Sequence, residues 1–224
     1  MIVKICGTTS EDDALLAVAM GADMVGFVFA PSPRQIARQK AADIVKRLPP
    51  EIVAIGVFRD EAPQRVVDMA VRSGMGGVQL HGHETAEETR WIRQRVPFVI
   101  KAFTAGDDRI VLAADYGADV ILLDGPRPGS GRLFDWALTS RLPHSQALMI
   151  AGGLTPDNVA DVVEATSPWG VDVVSGVERA QGVKDATRLR TFIANARAAA
   201  PDTGDAREGS TVGARGVYDW EEER

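Results

Sequence analysis

Cys6 and Asp124 are the two residues whose types and positions best suit acid–base chemistry. Each one ends an apolar run, ICG for the only cysteine of the chain and ILLDG for the aspartate. A carboxyl group partly removed from water suits a general acid near neutral pH, and a thiolate is a competent general base. Each residue also has a structural interpretation, as a small core thiol and as a turn carboxylate before glycine. Together they form a candidate acid–base pair.

Glycine-rich stretches indicate a second kind of site. Consecutive exposed backbone N–H groups bind phosphate, and IAGGLTPDN at 150–158, VVSGVER at 173–179 and PGSGRLFDW at 128–136 would provide them. One such turn is common, but three of them predict a sugar-phosphate ligand. The candidate phosphate-binding residues are Gly129, Ser130, Gly131, Gly152, Gly153, Ser175 and Gly176.

Arg34 and a histidine pair complete the polar candidates. Arg34 follows two prolines in FAPSPRQ, and a guanidinium on a stiff loop suits recognition of a carboxylate, although an exposed arginine is usually solvated surface. His81 and His83 in QLHGHE resemble metal ligands at first. With three histidines and one cysteine in the chain, a structural hydrogen-bonded pair is favoured, so we expect no metal here.

The elements that must position these residues alternate along the chain. Eight short apolar runs are each followed by a helix-like stretch, which predicts a (β/α)8 barrel over 1–200, with a doubly wound open sheet as the alternative. Ser10 and the pair Thr155–Pro156 predict helix starts. Gly21, Gly74 and Gly117 predict helix ends. A barrel brings strand ends to one rim, where Cys6, Arg34, His81, Asp124 and the glycine loops would meet.

Composition narrows the class of partner. The chain has 224 residues, 45% of them hydrophobic, and a formal charge of -6, which disfavours nucleic acid or an anionic membrane as the main partner. No apolar run approaches the ~20 residues of a membrane span, and a single cysteine excludes an internal disulfide. We therefore expect a cytoplasmic protein with a small-molecule substrate, either a monomer or a homodimer. The polar stretch 201–224 predicts a flexible C-terminal tail.

Seven motifs in order along residues 1–198 resemble the phosphoribosylanthranilate isomerase family. VQLHG, the FDW segment and SGVE with its downstream KD are the most specific of them. The full set is KICG at 4–7, FAPSPR at 29–34, VQLHG at 78–82, LLDG at 122–125, GSGRLFDW at 129–136, AGGLTPDNV at 151–159, and SGVE at 175–178 followed by GVKD at 182–185.

The resemblance implies an Amadori rearrangement of a phosphoribosyl aminoaldose to an aminoketose in tryptophan biosynthesis, without metal or cofactor. It makes Cys6 the general base and Asp124 the general acid, with Arg34 on the anthranilate carboxylate and the glycine loops on the phosphate. Val174 and Gln181 depart from the family pattern, which often has a small hydroxyl residue and a proline there. These departures concern the phosphate loop and leave Cys6 and Asp124 untouched.

Two other functions are compatible with the residues. The histidine-pathway aminoaldose isomerase acts on a substrate with two phosphates, whereas the glycine-rich loops here concentrate in the C-terminal half, which favours one phosphate. A non-catalytic sugar-phosphate binding barrel would keep the loops but would not need Cys6 and Asp124. Turnover and ligand affinity, measured separately on variants of these two residues, distinguish such a binding barrel from an isomerase.

Overall fold

Eight parallel strands close into a barrel in the order of the chain, with β1 paired to β8. The structure is a computed structural model that describes residues 1–125 and 146–201. The predicted (β/α)8 architecture is therefore confirmed, and the open sheet is excluded. The strands are β1 Ile2–Ile5, β2 Met24–Val28, β3 Val53–Phe58, β4 Gly77–Leu80, β5 Val99–Thr104, β6 Val120–Asp124, β7 Ala147–Ala151 and β8 Gly170–Val173.

Helices connect the strands on the outside of the barrel. The fifth connection is a 3-10 helix over Asp108–Tyr116, and a short hairpin of β9 Glu178–Ala180 and β10 Val183–Lys184 precedes the last helix. The predicted sixth helix, FDWALTSRL at 134–142, and the predicted tail from 202 onward lie outside the described residues. The α-helices are α1 Glu11–Ala19, α2 Arg38–Val45, α3 Pro63–Arg72, α4 Ala86–Arg93, α5 Val159–Thr166 and α6 Ala186–Ala198.

The predicted helix ends are correct where a local hydrogen bond or a glycine fixes them. The Ser10 hydroxyl accepts a bond of 3.2 Å from the Asp13 N–H at the start of α1. Gly74, with φ of 67°, follows the end of α3, and Gly117, with φ of 64°, ends the 3-10 helix.

The predicted start at Thr155 and Pro156 is wrong. The helix α5 begins at Val159, and a turn over residues 156–158 precedes it, in which the Thr155 N–H donates to Asn158 Oδ1 at 2.8 Å. The Asn158 amide also donates to the Gly153 carbonyl at 3.1 Å, so this turn is hydrogen-bonded to the AGGL loop.

Two apolar cores lie on the two sides of the strands. The larger core packs the outward strand residues, such as Val3, Ile5 and Val25, against the helices. The smaller core fills the barrel interior with residues such as Met24, Ile100 and Leu122. Alternation along each strand thus decides which side chains reach the interior.

Within the described residues, no helix is long and apolar enough to cross a membrane.

The packing of α3 predicts that two identical substitutions on one helix have different effects. Val66 is fully buried and Val71 is 65% exposed. We expect Val66→Ala to lower the free energy of unfolding by about 2 kcal/mol, because two buried methyl groups are lost and a cavity remains. Val71→Ala, the matched control, should change it by less than about 0.5 kcal/mol. Urea unfolding followed by circular dichroism measures both, and equal effects would contradict the assigned buried face.

Candidate active site

A cavity of about 400 Å³ opens at the C-terminal ends of the strands. It collects most of the residues that the sequence singles out, although they come from distant parts of the chain. Gly176 lines a neighbouring cavity, and Gly129, Ser130 and Gly131 fall outside the described residues. The predicted residues around the first cavity are Cys6, Arg34, His81, Asp124, Gly152, Gly153 and Ser175.

Cys6 directly follows β1 and is 4% exposed, with its side chain on the interior side of the barrel. Gly26 on β2 makes room for it, since a Cβ at that position would lie 2.6 Å from the Cys6 sulfur. Burial raises the pKa of the Cys6 thiol, while the positive charge of Lys4 acts in the opposite direction. A cation two residues earlier on the same face of β1 therefore favours the thiolate.

Lys4 is held in the barrel interior by Asp172 on β8. The Lys4 ammonium lies 3.0 Å from Asp172 Oδ1, and neither side chain is more than 5% exposed. Burial lowers the pKa of Lys4, but the charge and hydrogen bond of Asp172 together with the contribution of Cys6 outweigh it and raise that pKa, so Lys4 stays protonated. Sequence reasoning missed this pair, although a lysine in IVKI and an aspartate in GVDV are both unusual in buried strands.

Asp124 is the last residue of β6, and its side chain is 34% exposed. His81 Nε2 lies 3.2 Å from Asp124 Oδ2, and His81 Nδ1 lies 2.8 Å from the side-chain amide of Gln79. The His81 ring therefore connects Gln79 to the Asp124 carboxylate. Gly152 is required here, because a Cβ would lie 2.6 Å from Asp124 Oδ1.

The two histidines of QLHGHE point to different carboxylates. His81 contacts Asp124, whereas His83 Nδ1 lies 3.3 Å from Asp60 Oδ1 on the loop after β3. The i, i+2 spacing therefore does not bring them together as metal ligands. A group of three or more His, Cys, Asp or Glu side chains suited to a metal is not found in residues 1–125 and 146–201.

Arg34, on the loop after β2, is held by a carboxylate from the opposite end of the chain. Its Nε and Nη2 donate to the two carboxylate oxygens of Glu178 at 2.7 and 2.6 Å. Lys184 also reaches Glu178, at 3.3 Å. Sequence reasoning identified Arg34 but gave Glu178 and Lys184 no role, although both belong to the SGVE and GVKD motifs.

The glycine loops after β7 and β8 meet beside the first cavity. Gly153 has a φ of 68° and is exposed, and its N–H has no hydrogen-bond partner within the described part of the chain. Gly176 lies so close to the Leu154 carbonyl that a Cβ would collide with it. Gly153, Leu154 and Ser175 line both the 400 Å³ cavity and a second cavity of about 600 Å³ that includes Arg188. The loops thus join the cavity that Cys6 and Asp124 line to the cavity that includes Arg188.

The fold and the site define a class of protein, a (β/α)8 barrel whose C-terminal face carries a cavity lined by a cysteine, an aspartate, an arginine and glycine-rich loops. The family model of N-(5'-phosphoribosyl)anthranilate (PRA) isomerase matches residues 3–195. The chain belongs to this family.

Individual relatives agree with the family match over nearly their whole length. The N-(5'-phosphoribosyl)anthranilate isomerase of Desulforudis audaxviator is 45% identical over 205 residues, which cover 88% of this chain and 98% of that protein. The phosphoribosyl anthranilate isomerase structure from Thermus thermophilus has a TM-score of 0.80 at 41% identity, covering 88% and 99%.

A third relative was solved with a ligand. It is a phosphoribosyl anthranilate isomerase in complex with reduced 1-(o-carboxyphenylamino)-1-deoxyribulose 5-phosphate. Its TM-score is 0.78 at 40% identity, and the match covers 88% of this chain and all of that one.

The environment of Cys6 predicts how its reactivity depends on pH. Because burial raises the thiol pKa, we expect the rate of alkylation by iodoacetamide to rise through a midpoint above the ordinary value of about 8.5. Alkylation reports on Cys6 alone, since the chain has one cysteine. Lys4→Met should move the midpoint higher, because it removes the cation that favours the thiolate.

Lys46→Met is the control, because Lys46 is 70% exposed on its side chain and pairs with Asp43 on the surface. It should leave the alkylation midpoint unchanged. A wild-type midpoint at or below the ordinary thiol value would contradict the buried environment of Cys6.

Proposed function

We propose that this protein is a phosphoribosylanthranilate isomerase that uses Cys6 as general base and Asp124 as general acid. The reaction is the Amadori rearrangement of N-(5-phosphoribosyl)anthranilate to 1-(2-carboxyphenylamino)-1-deoxyribulose 5-phosphate, a step of tryptophan biosynthesis. The observation that carries the proposal is the shared lining of one cavity by Cys6, Asp124, Arg34 and the glycine loops. Family membership supports it independently.

Asp124 acts first, on the furanose ring. Its proton goes to the ring oxygen while the bond from C1 to that oxygen breaks, and the nitrogen lone pair forms a C1=N bond. The product is an open-chain protonated Schiff base with a positive charge on nitrogen. The position of Asp124 at the end of β6, with its side chain partly exposed to the cavity, supports this role.

Cys6 acts on the Schiff base. As thiolate it takes the C2 proton, the C2–H electrons form the C1=C2 bond, and the C=N electrons return to nitrogen to give a neutral enolamine. The enolamine then tautomerises to the ketose. Burial holds the thiol pKa high in the free enzyme, so the cationic Schiff base and Lys4 together favour the thiolate when the base is needed.

Charge recognition accounts for the two ends of the substrate. Arg34 pairs with the anthranilate carboxylate, as its place on the cavity wall and its guanidinium chemistry support. Backbone N–H groups near Gly153, Ser175 and Gly176 bind the phosphate, and Gly152 lines the same cavity as Gly153 and Ser175. The part of Gly129, Ser130 and Gly131 in phosphate binding stays a prediction from the sequence. One phosphate and one carboxylate thus fix the sugar between Cys6 and Asp124.

We expect Cys6→Ser and Asp124→Asn each to reduce turnover on freshly made phosphoribosylanthranilate by roughly a hundredfold or more, the scale of a lost general acid or base. Both changes nearly preserve side-chain shape, so affinity for the product should change little. Turnover is followed as the loss of anthranilate-type fluorescence, and affinity is measured by calorimetry.

A fully active Cys6→Ser would return the cysteine to a packing role and contradict the proposed base. A folded wild type without turnover that still binds the product would instead support a sugar-phosphate binding barrel. Turnover only on the histidine-pathway aminoaldose would favour the other isomerase.

A further inference from the structure

Glu178 holds the guanidinium of Arg34 from one side. The two Arg34 donors in this contact are Nε and Nη2, at 2.7 and 2.6 Å from separate carboxylate oxygens. The Glu178 side chain is 4% exposed, against 20% for Arg34, so the carboxylate is behind the arginine as seen from solvent. The contact joins residues 144 positions apart in the chain. Side-on bidentate pairing fixes both the place and the plane of a guanidinium.

Lys184 fixes Glu178 in turn. Its fully buried ammonium lies 2.6 Å from the Cys6 carbonyl oxygen, 3.1 Å from the Val174 carbonyl oxygen and 3.3 Å from Glu178 Oε1. Burial would raise the pKa of Glu178, but the hydrogen bond from Arg34 and the charge of Lys184 lower it, so the carboxylate stays ionised. Arg34 and Lys184 are two cations that share the single carboxylate of Glu178, so the three side chains carry one net positive charge. Of the two cations, Arg34 lines the cavity.

The donors that Arg34 has left match one more carboxylate. A guanidinium carries five N–H groups, and Glu178 takes one from Nε and one from Nη2. The remaining edge, between Nη1 and Nη2, presents two parallel N–H donors. Among residues 1–125 and 146–201, no hydrogen bond engages Nη1. A second carboxylate can therefore bind end-on while Glu178 remains bound side-on.

Gly7 places the arginine stem beside Cys6. Gly7 follows Cys6 and has a φ of 70°, and a Cβ there would lie 2.7 Å from Arg34 Cδ. The stem of Arg34 thus packs on the backbone next to the proposed base. Gly7 sets where the stem lies, and Glu178 sets how the guanidinium at its end is turned.

We propose that Glu178 and Lys184 are positioning residues that determine specificity for a substrate with an aromatic carboxylate. Lys184 holds Glu178, and Glu178 turns the free edge of Arg34 toward the cavity at a fixed distance from Cys6. The inference rests on the proposed function, which gives Arg34 the anthranilate carboxylate as its ligand.

The test compares two ligands that differ only in the ring carboxylate. They are the reduced product analogue 1-(o-carboxyphenylamino)-1-deoxyribulose 5-phosphate and its phenylamino counterpart without the carboxylate. Calorimetry on the full chain gives the ratio of their dissociation constants for wild type, Glu178→Gln, Arg34→Met and the double variant. Asp119→Asn is the matched control, because it breaks an ion pair of 2.7 Å with Arg93 beside the start of β5, at the other end of the barrel.

We expect the wild type to prefer the carboxylate ligand and Glu178→Gln to reduce that preference by roughly tenfold, the scale of one charged hydrogen-bond pair. Binding of the ligand without the carboxylate should change by less than about twofold. The double variant should be no worse than Arg34→Met alone, because Glu178 acts through Arg34. In turnover, Glu178→Gln should raise KM more than it lowers kcat. The control should keep the wild-type preference.

Glu178→Asp is a second variant that keeps the charge balance with Lys184 while withdrawing the carboxylate from Arg34. It should lose the same preference, so the test does not depend on the folding of Glu178→Gln. An unchanged preference in either folded variant would overturn the inference, as would an equal loss for both ligands. A wild type that turns over substrate but binds both ligands equally overturns it and leaves the proposed reaction standing. A wild type with neither turnover nor binding overturns the proposed function together with the inference.

Discussion

Closure of the barrel between β1 and β8 is the constraint on which the site depends. The register pairs Lys4 with Asp172 and Ile5 with Val173, which brings the first and last strands together. Because side chains alternate across a strand, this register puts Lys4, Cys6 and Asp172 on the interior side and Val3 and Ile5 in the outer core. A shift of one residue would move the thiol out of the cavity and leave Lys4 among apolar helices.

Buried lysines hold the loops that carry the site. Lys4 on β1 pairs with Asp172 on β8, where the barrel closes. Lys184, which follows β8, donates to the Cys6 carbonyl and so holds that segment against the end of β1. Lys101 donates to the Gly82 carbonyl at 2.9 Å and to Glu84 at 2.7 Å, which fixes the loop that begins with His81. Each ammonium is fully buried against a carboxylate, and loss of one partner would leave an uncompensated charge costing about 3–5 kcal/mol. These pairs limit how far the side chains that line the cavity can move relative to one another.

Helix caps, glycines and apolar periodicity predicted most of the fold, but they misplaced the start of α5 and missed the 3-10 form of the helix after β5. The Ser10 cap and the glycines after α3 and the 3-10 helix are set by neighbours in sequence, so the sequence predicts them well. The start of α5 was misplaced, since a turn over residues 156–158 precedes the helix, which begins at Val159. The connection after β5 has helical periodicity but forms a 3-10 helix, ended at Gly117.

The sequence by itself determined the strand count, the parallel barrel and the residues at the strand ends, because apolar runs, caps and glycines act over a few residues. It also marked Cys6, Asp124 and Arg34 by their places after those runs. Only the tertiary structure decided their partners, Lys4 with Asp172 and Arg34 with Glu178, which lie 168 and 144 residues apart. A charged side chain in a buried strand needs a partner of opposite charge. Which residue becomes that partner depends on strand register and loop packing, and neither can be predicted from the neighbouring residues in the sequence.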